Sequence, residues 1–179
     1  NDQPSIGLAA NGAGDIPSFT AINAGTAPIV ATIVVTPHFD NGSVTCDGPT
    51  KTFTITVNPT AEVNQPLSQV KCNGTSTDAI TFGTPNTGGT ITYTWTNDQP
   101  SIGLAATGTG DIPSFTAING GTAPIVATIV VTPHFENGSV TCDGPAKTFT
   151  ITVNPTAEVN QPLSQVKCNG TSTDAITFG

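Results

Sequence analysis

The chain has 179 residues, only 9% of them charged, with no Arg, four Lys and a formal net charge of −8. That balance excludes a nucleic-acid binder, which needs a basic stripe to neutralise phosphate, and an anionic-membrane binder for the same reason. Hydrophobic residues make up 36% and fall in alternating runs, so the chain is not disordered. No apolar run reaches the roughly 20 residues of a membrane span.

The text repeats. Asn1–Gly83 returns as Asn97–Gly179 at an offset of 96, with five differences: Asn11/Thr107, Ala13/Thr109, Ala24/Gly120, Asp40/Glu136 and Thr50/Ala146. A fixed period marks an array of like units. The polar, Pro-flanked stretch NPTAEVNQP, at Asn58 and again at Asn154, follows a strong strand pattern and reads as a linker. It divides the chain into residues 1–62, the rear of one module; 63–158, a complete module; and 159–179, the front of the next.

Within the complete module, Ser68–Cys72 is a short edge strand and Asn73-Gly74 a turn. Ala79–Phe82 follows as a strand, then the loop TPNTGG. Thr90–Thr96 alternates strictly, with Ile91, Tyr93 and Trp95 on one face and Thr on the other, the pattern of a half-buried antiparallel strand. Ile102–Ala106 and Ile112–Ala117 are weaker strands separated by TGTGD. Pro124–Thr132 is the most apolar run, rich in β-branched residues, and reads as a central strand ended by Pro133. Asn137-Gly138 and Asp143-Gly144 mark connections. Lys147–Asn154 closes the unit, with Phe149, Ile151 and Val153 inward and Thr148, Thr150 and Thr152 outward. No 3.6-residue apolar period occurs. About seven short strands in 96 residues predict an all-β, immunoglobulin-like sandwich.

The four cysteines fall two per repeat, which favours disulfides in an oxidising compartment. Cys72 and Cys142 are the pair expected within the complete module. The alternative is that they lie too far apart, with Cys142 meeting Cys168 of the next module or of a neighbouring chain. Cys46 and Cys168 lack a same-module partner and are candidates for intermodule or interchain pairing. No CxxC spacing points to zinc. Trp95 stands between Cys72 and Cys142, in the Cys–Trp–Cys order of immunoglobulin domains. Its alternation with Ile91 and Tyr93 makes it a core residue rather than a sugar-stacking one.

No catalytic constellation or cofactor motif is visible, and no metal site is expected. Asp98, Asp111, Glu136 and Asp143 sit in loops without a calcium-binding run, against the six to eight converging oxygens calcium requires. Asp78, ahead of a strand, reads as a turn-capping residue. His134, and His38 in the other copy, lack a nucleophile elbow and read as hairpin residues. Asn41, Asn73, Asn137 and Asn169 each open a glycosylation-type sequon, but all four are also Asn-Gly turns. Outward threonine rows suit a soluble strand face and also offer a flat surface for lateral packing or strand addition.

In succession, CNGTSTDAITF, TYTWTN, SIGLAATGTGDIPSFTA, APIVATIVVTP and KTFTITVNPT resemble the PKD-like, immunoglobulin-like repeats of large surface proteins from Bacteroidetes. Those include gliding adhesins exported by the type IX secretion system. The resemblance spans the 63–158 unit and both partial copies. It implies an extracellular, cell-surface or secreted, non-enzymatic stalk or adhesive fibre. Its partners would be neighbouring identical repeats, with lateral or head-to-tail self-association as a candidate for filament growth. The alternative function is a ligand-binding adhesive module, for carbohydrate or through calcium.

Overall fold

A computed structural model describes residues 1–178; Gly179, the last residue of the expected third segment, lies outside the described residues. The chain is nearly all β. Its strands are β1 (Ile29–Val35), β2 (His38–Asp40), β3 (Thr45–Asp47), β4 (Lys51–Val57), β5 (Gln69–Cys72), β6 (Thr90–Asn97), β7 (Thr107–Thr109), β8 (Ile125–Asn137), β9 (Val140–Asp143) and β10 (Lys147–Asn154). Two single-turn 3-10 segments, Pro4–Ile6 and Pro100–Ile102, complete the regular structure.

The six strands β5–β10 form one mixed sheet in the order β5-β10-β8-β6-β7, with β9 on β8 beyond the end of β10. β5 runs parallel to β10, and the other pairings are antiparallel. The period-two strands behave as their pattern dictates. Tyr93, Trp95, Ala127, Ile129, Val131, Phe135, Phe149, Ile151 and Val153 point inward and are buried, and the intervening threonines face out. The opposite wall of this core is not a regular sheet. It consists of extended segments carrying Val63, Ile80, Phe82, Ile102, Leu104, Ile112 and Ala117, joined by two isolated bridges, Ser76–Thr116 and Ile80–Ile112.

Three expectations therefore change. Ala79–Phe82 and Ile112–Ala117 meet through a single bridge, Ile80–Ile112. The TGTGD stretch expected as loop supplies β7, while Ile102 belongs to a 3-10 turn. Most notably, the central strand does not end at Pro133 but runs on to Asn137. The Pro133 carbonyl accepts from Gly144 N at 3.1 Å, so its nitrogen faces the same edge. There β10 has ended at Val131 and β9 has not begun until His134. The missing N–H thus falls in a gap where no ladder bond is lost.

Residues 1–57 reproduce the rear of this unit. β1 pairs with β4 from Ile29↔Val57 to Val35↔Lys51, and β2 with β3 through Phe39↔Cys46, the 96-residue shift of the β8–β10 and β8–β9 registers. Their small core holds Ile6, Ala31, Ile33 and Val57. The long strand β8 is here broken into β1 and β2 at Thr36-Pro37. In the full repeat β6 pairs across that point, with Tyr93 opposite Pro133; among the described residues no such strand lies beside β1.

Candidate functional site

Two places deserve chemical scrutiny: the polar cluster on the outer sheet face, and the joint between the two folded bodies. The first is built by the β8–β9 hairpin. Gly138 and Ser139 both have positive φ, of 60° and 62°, which gives a two-residue turn of the type whose twist matches a hairpin. That register sets His134 opposite Asp143, with Nδ1 2.7 Å from the Asp143 carboxylate. On its other side Nε2 lies 2.9 Å from Thr94 Oγ1.

Hydroxyl, imidazole and carboxylate thus stand in a row, in the order used by nucleophilic triads. Such a row acts only with a substrate cleft and convergent oxyanion donors beside it. Here it lies on the outer face of the sheet, where His134 is half-buried and Asp143 exposed. Two open hollows do not touch this row: one of about 450 Å³ lined by Pro37, His38, Phe39, Cys46, Asp47 and Gly48, and one of about 200 Å³ by Thr60, Glu62, Val63, Pro145 and Lys147. The His–Asp pair recurs at His38–Asp47, 2.6 Å, without a threonine partner among the described residues. Its constant part is therefore a tie across the hairpin.

The loop carboxylates are dispersed. Asp98 accepts from Thr128 N at 2.6 Å and Asp111 from Phe82 N at 2.9 Å. Asp78 pairs with Lys71 Nζ at 3.0 Å, and its main chain is held at both N and O by Gln69. Its carboxylate thus serves an ion pair rather than a turn cap. Among the described residues no three His, Cys, Asp or Glu side chains converge as a metal site.

All four cysteines carry free thiols. Cys72 and Cys142 are not brought together. Cys72 lies opposite Asn154 at one end of the sheet, and Cys142 opposite Phe135 at the other. The stretch of β8 from Ile125, which faces Val153, to Phe135 spans about 33 Å, far beyond the roughly 7 Å a disulfide allows between Cα atoms. Cys142 is likewise not bonded to Cys168. Cys46 and Cys168 are both exposed.

Trp95 is an inward residue, 6% exposed, as are Tyr93, Phe149, Ile151 and Val153, with Ile91 packed at the margin. Phe82 stacks at a tilt on Tyr93, centroids 5.3 Å apart. Burial raises the Tyr93 phenol above its ordinary pKa, opposed by a hydrogen bond with Thr84 and reinforced by Asp111.

The joint is where sequence reasoning missed the most. Asn58–Val63 reads as a linker, yet Pro59, Ala61 and Val63 are buried. Asn86, from the TPNTGG loop, is the clamp. Its Oδ1 accepts from Glu62 N at 2.6 Å, and its Nδ2 donates to Thr60 O at 3.1 Å and Thr26 O at 3.4 Å. Thr87 N donates to Thr26 O at 2.9 Å. Asn58 Nδ2 donates to Asn137 O at 3.1 Å, and Asn137 Nδ2 returns a bond to Asn58 Oδ1 at 2.9 Å. Gly144 lies so close to the Ala61 carbonyl that no side chain fits there. The available signal was the alternation of Pro59, Ala61 and Val63, a period-two pattern hidden by the surrounding turn formers.

No protein-family model matches the chain, and no curated protein matches it. Among solved structures, it is similar to a nucleoside hydrolase-related hypothetical protein from Saccharophagus degradans associated with carbohydrate metabolism. That match has 14% identity and a TM-score of 0.30, over 54% of this chain and 25% of that one. The chain thus corresponds to about a quarter of that protein, and the score is too low to equate the two folds.

Proposed function

We propose that this chain is a spacer segment of a secreted, cell-surface filament or adhesin, built from immunoglobulin/PKD-like modules of 96 residues and without enzymatic activity. Its units are residues 1–62, 63–158 and 159–179, and its partners are the neighbouring repeats. The observation that carries the reading is the joint: the connecting residues Pro59, Ala61 and Val63 are buried, and Asn86 binds both the connection and the preceding repeat. A hydrogen-bonded connection of this kind transmits orientation from module to module, where a solvated linker would let each swing. The resemblance to Bacteroidetes surface repeats and the neutral, threonine-rich faces support an extracellular setting.

Small-angle scattering and electron microscopy of arrays with two, three and four complete repeats test it. A straight particle lengthening by about 30–45 Å per repeat is expected. A freely bending chain of beads would overturn the reading. Asn86→Ala should convert the first behaviour toward the second.

A further inference from the structure

We infer that Asn137-Gly138 is a self-modification site: the Asn137 side chain cyclises onto the next backbone nitrogen and reopens as aspartate or isoaspartate, and this change loosens the joint between repeats. The inference rests on the geometry of the joint and goes beyond the spacer reading, since the joint ages chemically whatever the array is for.

Asn-Gly pairs cyclise readily because glycine has no β-carbon to shield its nitrogen or restrict its backbone. The complete repeat has three, Asn73-Gly74, Asn119-Gly120 and Asn137-Gly138, and the fold treats them differently. At the first, Gly74 N donates to Ala117 O at 2.8 Å, while Asn73 Oδ1 accepts from Asn119 N at 2.8 Å and Nδ2 donates to Thr156 Oγ1 at 3.0 Å. At the second, Asn119 is 1% exposed. Its Nδ2 donates to Ala123 O at 2.9 Å and Val153 O at 2.7 Å, and its Oδ1 accepts from Gly121 N at 2.9 Å. Neither side chain reaches the next nitrogen without breaking several bonds.

The third pair differs on both sides of the reaction. Gly138 stands at the hairpin tip, exposed, with nothing within 4 Å of where a side chain would project. Among the described residues its N–H has no backbone acceptor, so solvent hydroxide reaches the proton. Asn137 is half-buried, and its side chain is held by one bond, Nδ2 to Asn58 Oδ1 at 2.9 Å. That acceptor lies on the preceding repeat, so the side chain comes free whenever the joint opens.

The chemistry needs only water. Gly138 N, deprotonated by hydroxide, attacks Asn137 Cγ. The new C–N bond closes a cyclic imide, and the Cγ–Nδ2 bond breaks with loss of Nδ2 as ammonia. Water then opens the imide and returns a proton to the nitrogen. Cleavage at the side-chain carbonyl leaves aspartate; cleavage at the main-chain carbonyl leaves isoaspartate, whose backbone runs through the β-carbon.

Both products strike the joint. A carboxylate is acceptor-only and cannot donate to Asn58 Oδ1. Turning the Asn58 amide over restores that contact but removes its Nδ2 from Asn137 O, which it meets at 3.1 Å. One of the two bonds is lost either way. Isoaspartate adds a carbon to the main chain at the last residue of β8 and disrupts the Asn137↔Val140 pairing.

Peptide mapping of the 179-residue chain, held at mildly alkaline pH and sampled over days, tests the chemistry, with an isoaspartate-specific methyltransferase as a second readout. Among the three pairs Asn137 should convert first, several-fold ahead of Asn73 and Asn119. Asn58→Ala removes the restraint and should speed conversion at Asn137 about fivefold, the equivalent of one net hydrogen bond, leaving Asn73 and Asn119 unmoved. Residue-resolved hydrogen exchange in Asn137→Asp tests the consequence. The amides of Glu62 and Thr87, which bond to Asn86 Oδ1 and Thr26 O at the joint, should exchange several-fold faster, with Ile129 in the middle of β8 unchanged. Conversion led by Asn73 or Asn119, a rate at Asn137 indifferent to Asn58→Ala, or unchanged exchange at Glu62 and Thr87 in Asn137→Asp would each overturn the inference.

Discussion

The indole of Trp95 packs against Gly108, its cross-strand partner on β7, so closely that a β-carbon at that position would overlap the ring. The equivalent glycine of the first repeat, Gly12, has open space around it. Gly108→Ala should therefore destabilise the complete repeat by about 1–3 kcal/mol, the usual range for overpacking, while Gly12→Ala should be neutral within about 0.5 kcal/mol. Urea unfolding followed by fluorescence of Trp95, the chain's single tryptophan, reports the complete repeat, and far-UV circular dichroism over the same titration reports the first.

Phe135 and Phe39 occupy the same place in the text and opposite environments in the fold. Phe135 is fully buried and Phe39 is 71% exposed. Phe135→Ala should cost about 3–5 kcal/mol as a core truncation, and Phe39→Ala close to nothing. By contrast Asp143→Asn, which weakens a largely exposed tie to His134, should cost less than about 1 kcal/mol. The same urea titration ranks the three.

Tyr93 gives the fold an alkaline limit. Its phenol has a raised pKa in the folded state because burial disfavours the phenolate. Below about pH 10, the ordinary tyrosine value, the group is neutral both folded and unfolded and stability is unaffected. Above it the unfolded chain loses the proton first, so stability falls as pH rises toward the folded-state pKa. Melting temperature should drop through this window in the parent and less so in Tyr93→Phe. Tyr93 is the only tyrosine, so tyrosinate absorbance reports its titration directly.

The thiol arrangement predicts a null effect where a disulfide would give a large one. Removing a native disulfide from a small domain costs about 2–5 kcal/mol. Cys72→Ser/Cys142→Ser should stay within about 0.5 kcal/mol of the parent under oxidising conditions. Peptide mapping of the oxidised monomer should yield no Cys72–Cys142 link.

What was legible in the sequence was whatever two-residue periodicity encodes. Thr90–Thr96 and Lys147–Asn154 emerge with the faces their alternation assigns, because a sheet with one wet side sorts side chains strictly. The weaker stretches Ala79–Phe82 and Ile112–Ala117 have the composition of strands but only bridge contacts, since their apolar residues are held by packing on the sheet rather than by a ladder. Pro133 looked like a terminator because a proline's effect depends on which edge its nitrogen faces, and register decides that. The same gap defeated the cysteine pairing: order along the chain says nothing of which end of a sheet a residue reaches. The joint escaped because Asn86, an ordinary turn residue by type, is defined by what it meets 24 and 60 positions away.

The parallel pairing of β5 with β10 has a mechanical meaning. A module in tension is pulled through the strand that enters it and the strand that leaves it. Those two strands lie side by side and point the same way, so opposed pulls slide one along the other and strain their shared bonds together. A hairpin arrangement would instead peel them one at a time. A tether made of such modules would resist drag by how slowly each opens under force, a property set by its unfolding rate rather than by its equilibrium stability.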